Sequence, residues 1–185
     1  MNGWSPASEV FGIFGRAVWG EPGDATSKYR FRLERAERGF LVSRNGRTIN
    51  FLMLNPSTAT ADVDDPTIAK CWRYAVSWGF RHLIITNLYA FRATDPKKML
   101  AALNEGATNA IGPGNDQEIW WAAKEAELTV MAWGQNAEKA RAEYVRATLS
   151  EGNVKLAYLR WGKSREPHHP LYLPGHLSPT TWIRP

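Results

Sequence analysis

Apolar residues follow two rhythms along this chain. Short, nearly continuous apolar runs alternate with stretches in which apolar positions return every three or four residues. The runs Ile49–Leu54, His82–Leu88, Leu128–Trp133 and Val154–Leu159 predict four strands, the first two apolar enough to be buried. Between them, Ile68, Cys71, Trp72 and Ala75 keep helical spacing up to Gly79. Asp65-Pro66 supplies an N-cap followed by proline at the first helical position. Asp95-Pro96 repeats that start before Met99, Leu100 and Leu103, and further helices are expected from Asn115 or Asp116 through Ala123 and over Asn136–Leu149.

The chain before the first of these strands is less regular. Residues 1–28 are rich in glycine and small polar residues and are expected to form a packing arm, leaving residues 29–185 as a single domain. Tyr29–Leu33 and Phe40–Ser43 predict two short strands. Asn45-Gly46, between Val42 and Ile49, predicts a hairpin, because both central residues of such a turn must accept positive φ. Strands alternating with helices at this spacing specify βαβ units. The expected architecture is therefore α/β: three αβα layers around a central, mainly parallel four-stranded sheet, with an N-terminal β-hairpin.

Composition narrows the classes. The 185 residues carry 23 Lys and Arg against 18 Asp and Glu, a net +5 that favours polyanionic partners without naming one. A single cysteine, Cys71, excludes an internal disulfide, a cysteine-rich zinc site and an iron–sulfur cluster built from this chain alone. No apolar run approaches the roughly 20 residues needed to span a bilayer, and no basic head precedes an apolar stretch at the start. These features lead to the expectation of a cytoplasmic, monomeric protein with no membrane association.

In parallel α/β sheets ligands bind beyond the carboxyl ends of the strands, so the strand exits are where chemistry is sought. The first exit presents Asn55-Pro56-Ser57-Thr58, the second Asn87-Leu88-Tyr89, the third Trp133-Gly134, and the tail His168-His169-Pro170-Leu171. An asparagine amide offers one acceptor and two donors, which suits the adjacent carbonyl and N–H of a nucleobase edge. Each residue alone has a structural explanation as a turn former, a cap or core packing. Their coincidence at the exits of one sheet points to a site. Other chemistries fit less well. Gly112–Asp116 lacks the Lys-Ser/Thr of a phosphate loop, no G-x-S-x-G elbow is present, and adjacent His168 and His169 lack helical metal-ligand spacing. The acidic group Asp62, Asp64 and Asp65 reads as an exposed loop with a helix cap.

In order, strand–NPST, strand–TNL, strand–AWG and the late HPLYL resemble the uracil-DNA glycosylase superfamily. The layout LNPSTA, DDPT, TNL, RATDP and HPLYL, over about Tyr29 to Pro185, also resembles a little-characterised bacterial and phage family. The first resemblance implies that Asn55 positions the attacking water, with Pro56 and Ser57 shaping its loop, and that Asn87 reads the amide edge of a flipped pyrimidine. It further implies that His169 donates to a base carbonyl or supports the strained backbone phosphate, and that Leu171, or else Tyr172 or Leu173, wedges into the vacated stack. Phe91 and Trp133 are candidate base-contacting aromatics, and Arg92, Lys97, Lys163 and Arg165 candidate phosphate contacts. Two departures stand out. The late motif reads HPLYL rather than HPSPLS, and strand one ends in Asn where the fastest uracil-specific branch has Asp.

The expected activity is monofunctional hydrolysis of an N-glycosidic bond in DNA, leaving an abasic site, in repair or in phage-related DNA metabolism or defence. Neither a metal nor an organic cofactor is called for. Two alternatives stay open: a non-catalytic nucleic-acid-binding module that keeps the base pocket, and an enzyme acting on free nucleosides or nucleotides.

Overall fold

The structure is a computed structural model and describes residues 8–10, 13–20, 27–37, 46–95, 101 and 109–184. The four central strands arise from the apolar runs. They are β4 (Arg47–Met53), β5 (Phe80–Asn87), β6 (Leu128–Met131) and β7 (Leu156–Tyr158), and they pair in parallel in the order β5-β4-β6-β7. The sheet does not stop there. β1 (Ser8–Val10), β2 (Ile13–Trp19) and β3 (Arg30–Glu37) extend it antiparallel beyond β5, and β8 (Thr180–Thr181) adds an antiparallel edge beyond β7. The expected four-stranded sheet is thus the parallel block of an eight-stranded mixed sheet.

The N-terminal hairpin is corrected in the same way. β3 does not pair with β4, because β5 lies between them. Both hydrogen-bonding edges of β4 are taken by parallel neighbours, so the Asn45-Gly46 turn signal cannot close an antiparallel pair onto it. The antiparallel pairs form earlier in the chain, β1 with β2 and β2 with β3. Phe40–Ser43, and the helix expected after Asp95-Pro96, fall on residues outside those described. β2 lies within the segment expected only to pack. Its core face is made of Gly15, Ala17 and Trp19, too small and mixed to read as a strand. Gly15 is required by close approach: a Cβ there would lie 1.8 Å from the Ala61 carbonyl oxygen.

Alternation along the inner strands divides the core into two layers. Ile49, Phe51, Met53, Leu83 and Ile85 face α1 (Pro66–Ser77) through Ile68, Cys71, Tyr74 and Ala75. Leu52, Leu54, Leu88 and Met131 face α2 (Asn115–Glu125) and α3 (Lys139–Glu151) through Ile119, Ala123, Ala142 and Val145. The arrangement is a three-layer αβα sandwich. Buried polar groups also run across the second face, where Thr86 Oγ1 donates to Asn50 Oδ1 (3.1 Å) and Asn50 Nδ2 to Thr129 Oγ1 (3.5 Å). No helix among the described residues is long and apolar enough to cross a membrane.

Helix α1 begins as its sequence requires. Asp65 Oδ1 accepts from the backbone N–H groups of Thr67 (2.9 Å) and Ile68 (3.0 Å), and Pro66 occupies the first turn. Replacing Asp65 with Ala is expected to cost about 1 kcal/mol, with Asn at the same position within a few tenths of wild type. Thermal melts of the two variants check this, and an equal loss in both would refute the cap as the cause.

Candidate active site

The chain connects β4 to β5 across one face of the sheet and β6 to β7 across the other, carrying α1 and α3 respectively. Adjacent strands β4 and β6 therefore send their exit loops apart. A crevice opens at such a switch point, beyond the carboxyl ends of the strands. A cleft of about 410 Å³ lies there, lined by Asn55 and Ser57 after β4, Asn87 at the end of β5, Trp133 and Gly134 after β6, and His169 from the tail. That volume lies within the range of small-molecule sites.

Each group is held by its neighbours. Asn55 Nδ2 donates to the carbonyls of Ala93 (2.8 Å) and Pro56 (3.0 Å), and the Ala93 N–H donates back to Pro56 (2.9 Å). Both amide protons are thereby committed, so Oδ1 is the atom this side chain has left for a ligand or a water. Pro56 is buried beneath this clasp and does not line the cleft. Asn87 is 1% exposed, and its Nδ2 finds no acceptor among the described residues. Its position is set from behind: Asn115 Nδ2 donates to the carbonyls of Asn87 (3.0 Å) and Leu88 (3.2 Å), and Arg141 clamps Leu88 through Nε and Nη2.

His169 precedes a 3₁₀ turn, Pro170–Tyr172, and its Nδ1 accepts from the Leu171 N–H at 3.4 Å. That bond assigns the ring proton to Nε2. Burial pushes the imidazole below its ordinary value, an effect that Asp65 opposes, so the ring is neutral at neutral pH. Gly134 turns beside it with φ +82°, and a Cβ there would sit 3.4 Å from the His169 Cβ. Trp133 forms a buried wall, anchored by Nε1 donating to Glu166 (2.8 Å). Leu171 and the exposed Tyr172 line the mouth, the Tyr172 ring tilted 46° against His169 at 5.7 Å.

Seven of the expected residues thus belong to one region: Asn55, Ser57, Asn87, Trp133, His169 and Leu171 line the cleft, and Pro56 supports it. Four others lie elsewhere. Phe91 bridges to Tyr29 and meets its ring edge-on at 6.1 Å, outside the cleft. Arg92 lies over Trp19 and donates to the Ser27 carbonyl. Lys163 is exposed on a loop where Ser164 donates to Gln135 at the cleft rim, and Arg165 lines a second cleft beside Trp161 and Trp182. Lys97 is outside the described residues.

Two charged residues of the cleft escape strand-exit reasoning, Asp65 and Arg30. Asp65 reads as a cap, which it is. Arg30 reads as an ordinary strand residue, and no local signal marks it. The acidic group of the sequence is dispersed: Asp64 pairs with Arg35 (2.7 Å), Asp65 caps α1, and Asp62 is exposed. Ligand atoms of Glu34, His82 and Glu125 do cluster within 4.8 Å of one another, on the α2 side of the sheet. Arg32 donates to both carboxylates, so a guanidinium already supplies the positive charge there.

Fold and cleft together define an α/β protein with a switch-point cleft lined by both apolar and polar side chains. The chain belongs to the family described as protein of unknown function (DUF1643), whose model matches residues 30–171 and so spans the cleft strands and the His169 turn. No curated protein and no solved structure matches it.

Proposed function

We propose that this protein hydrolyses the N-glycosidic bond of a pyrimidine nucleotide turned out of DNA into the switch-point cleft. The observation that carries the reading is the complementary set of polar atoms in that cleft: an amide oxygen at Asn55, an unpaired buried donor at Asn87 and a neutral imidazole N–H at His169. As the C1′–N bond stretches, positive charge grows on the sugar and negative charge on the base. Fixed donors aimed at the base then stabilise the transition state more than the ground state.

Asn87 and His169 are those donors. Asn55 holds water in line with the cationic sugar carbon, where orientation matters more than basicity. Extruding the nucleotide costs a few kcal/mol, least for a damaged or mispaired base, and selectivity begins with that difference. In this reading Leu171 or Tyr172 at the mouth fills the vacated stack, and Lys163 on the rim loop meets backbone phosphate.

An excision assay tests the proposal, using oligonucleotides that carry uracil, hydroxymethyluracil, hypoxanthine or modified cytosine. Wild type is expected to leave abasic sites on at least one of them, and Asn87→Ala to slow that release by roughly 10²–10³-fold, the usual cost of one such donor. Affinity for the DNA should fall steeply with added salt as counterions are released. Release from free nucleosides alone, with flat salt dependence, would move the substrate class. Absence of release from every substrate would refute hydrolysis.

A further inference from the structure

Arg30 is 2% exposed, yet it is among the residues that line the cleft. A backbone irregularity puts it there. β2 and β3 pair evenly from Ile13 opposite Glu37 to Val18 opposite Arg32, after which Trp19 faces Arg30 and Phe31 is the extra residue. Such a bulge re-aims the side chains beyond it. Arg32 points to Glu118 and Glu125 on the α2 side, whereas Arg30 reaches across the other face to the Ala59 carbonyl on the loop before α1.

The charge is poorly compensated. Nη1 donates to Ala59, but among the described residues the buried Nε has no acceptor and no carboxylate forms an ion pair with the guanidinium. Burial is the main influence on this guanidinium and pushes it down to about 9. Asp65 acts in the opposite direction, and Arg92 and Arg35 add to the positive field. It is charged at neutral pH all the same. A buried cation without a paired anion is costly to keep, and in a ligand cleft the missing partner is an anionic ligand group.

Resting on the reading above, we propose that Arg30 makes the cleft a receptor for the anionic form of a pyrimidine, the form in which the base leaves a cleaved N-glycosidic bond. When that bond breaks, both its electrons leave on the base nitrogen. The water oxygen bonds to C1′, and the water's proton passes to solvent. The negative charge is spread over the ring and its carbonyls, and a fixed guanidinium meets it without reorganising. Asp65, His168, His169 and Tyr172 are the titratable groups that line the cleft with Arg30, and the charges of Asp65, Arg92 and Arg35 act on its guanidinium. His169 gains charge as pH falls and would favour an anion at low pH. Tighter binding as pH rises therefore reports the base and not the histidine.

The test is calorimetric titration of the full chain with free 5-fluorouracil, whose ring N–H is more acidic than that of uracil, from about pH 6 to about pH 8. Wild type is expected to bind roughly five- to tenfold tighter per pH unit until the base's own ionisation is complete. Arg30→Met should bind with less than about twofold change over the range, and its melting temperature should hold or rise, since an unpaired buried charge has been removed. Arg30→Lys, which keeps the charge on a different stem, should restore part of the slope. Three results would overturn the proposal: no binding of free base, binding that is flat with pH in wild type, or an unchanged slope in Arg30→Met. A fourth is an Arg30-dependent preference for thymidine 5′-monophosphate over thymidine with no slope for the base, which assigns the guanidinium to phosphate. The excision assay separates the two claims. A pH-dependent base site without abasic-site formation leaves the receptor standing and refutes hydrolysis, and abasic-site formation with flat base binding does the reverse.

Discussion

Asn55→Ala is expected to slow base release by about 10²–10⁴-fold while DNA affinity changes by no more than about threefold. The asymmetry follows from the clasp. Both amide protons of Asn55 are spent on Ala93 and Pro56, so the side chain has only its oxygen to offer, and in the proposed reaction that oxygen holds the attacking water. Asn55→Asp sharpens the test. A carboxylate is the stronger base, but it would set an anion against two carbonyl oxygens and lose both anchors. If orientation governs the step, the Asp variant is slower than wild type despite its basicity. Single-turnover rates on the best substrate, beside anisotropy measurements of binding, read both quantities. An Ala variant as fast as wild type would remove Asn55 from the mechanism. A wild type that binds DNA without turnover, and is indifferent to Asn55, would instead be a binding module.

Glu34→Ala is expected to cost about 3 kcal/mol of stability, the lower end of what removing one partner of a buried ion pair costs. Glu34 and Arg32 are both buried and paired, Arg32 also reaches Glu118 and Glu125, and His82 Nε2 lies 3.5 Å from Glu34. The remaining acids keep Arg32 from being stranded, hence the lower end. Burial works to raise the Glu34 carboxyl, but the hydrogen bond from His82 and the charge of Arg32 outweigh it and hold the group below its ordinary 4.5. A depressed carboxylate stabilises the fold in full above its unfolded value, and that contribution is lost as pH falls through the folded value. Glu34→Gln should therefore be less stable than wild type at neutral pH, and the gap should narrow below about pH 4.5. Urea titrations at several pH values test this, and a gap that widened in acid would contradict it.

The parallel block was legible because its strands are near-continuous apolar runs, and Asp65-Pro66 announced α1 directly. The outer strands were not. β2 builds its core face from glycine, alanine and tryptophan, and β3 buries Arg30, Arg32, Glu34 and Arg35, residues that local patterning assigns to solvent. Acids distant in sequence make part of that burial tolerable, Glu118 and Glu125 of α2 for Arg32 and Asp64 before α1 for Arg35. The cleft divides along the same line. Asn55, Asn87, Trp133 and His169 follow from the rule that strand ends converge, whereas Arg30 arrives through a bulge that no residue type encodes. Phe91 shows the converse failure, an aromatic close to a strand end that the isolated bridge to Tyr29 holds away from the cleft.

The row Thr86–Asn50–Thr129 has a further consequence. Strands that are apolar on both faces can slide by two residues and still present greasy side chains to both layers, so hydrophobicity alone indexes them weakly. A slip of two residues between β4 and β5 would displace the two asparagines by about 7 Å at roughly 3.3 Å per residue. It would also strand the Asn50 amide in a medium that cannot solvate it. This hydrophilic rung, with the buried Thr48–His82 contact farther along the same pair of strands, works as a molecular ruler, and the alignment of Asn55 with Asn87 at the rim is what it measures out.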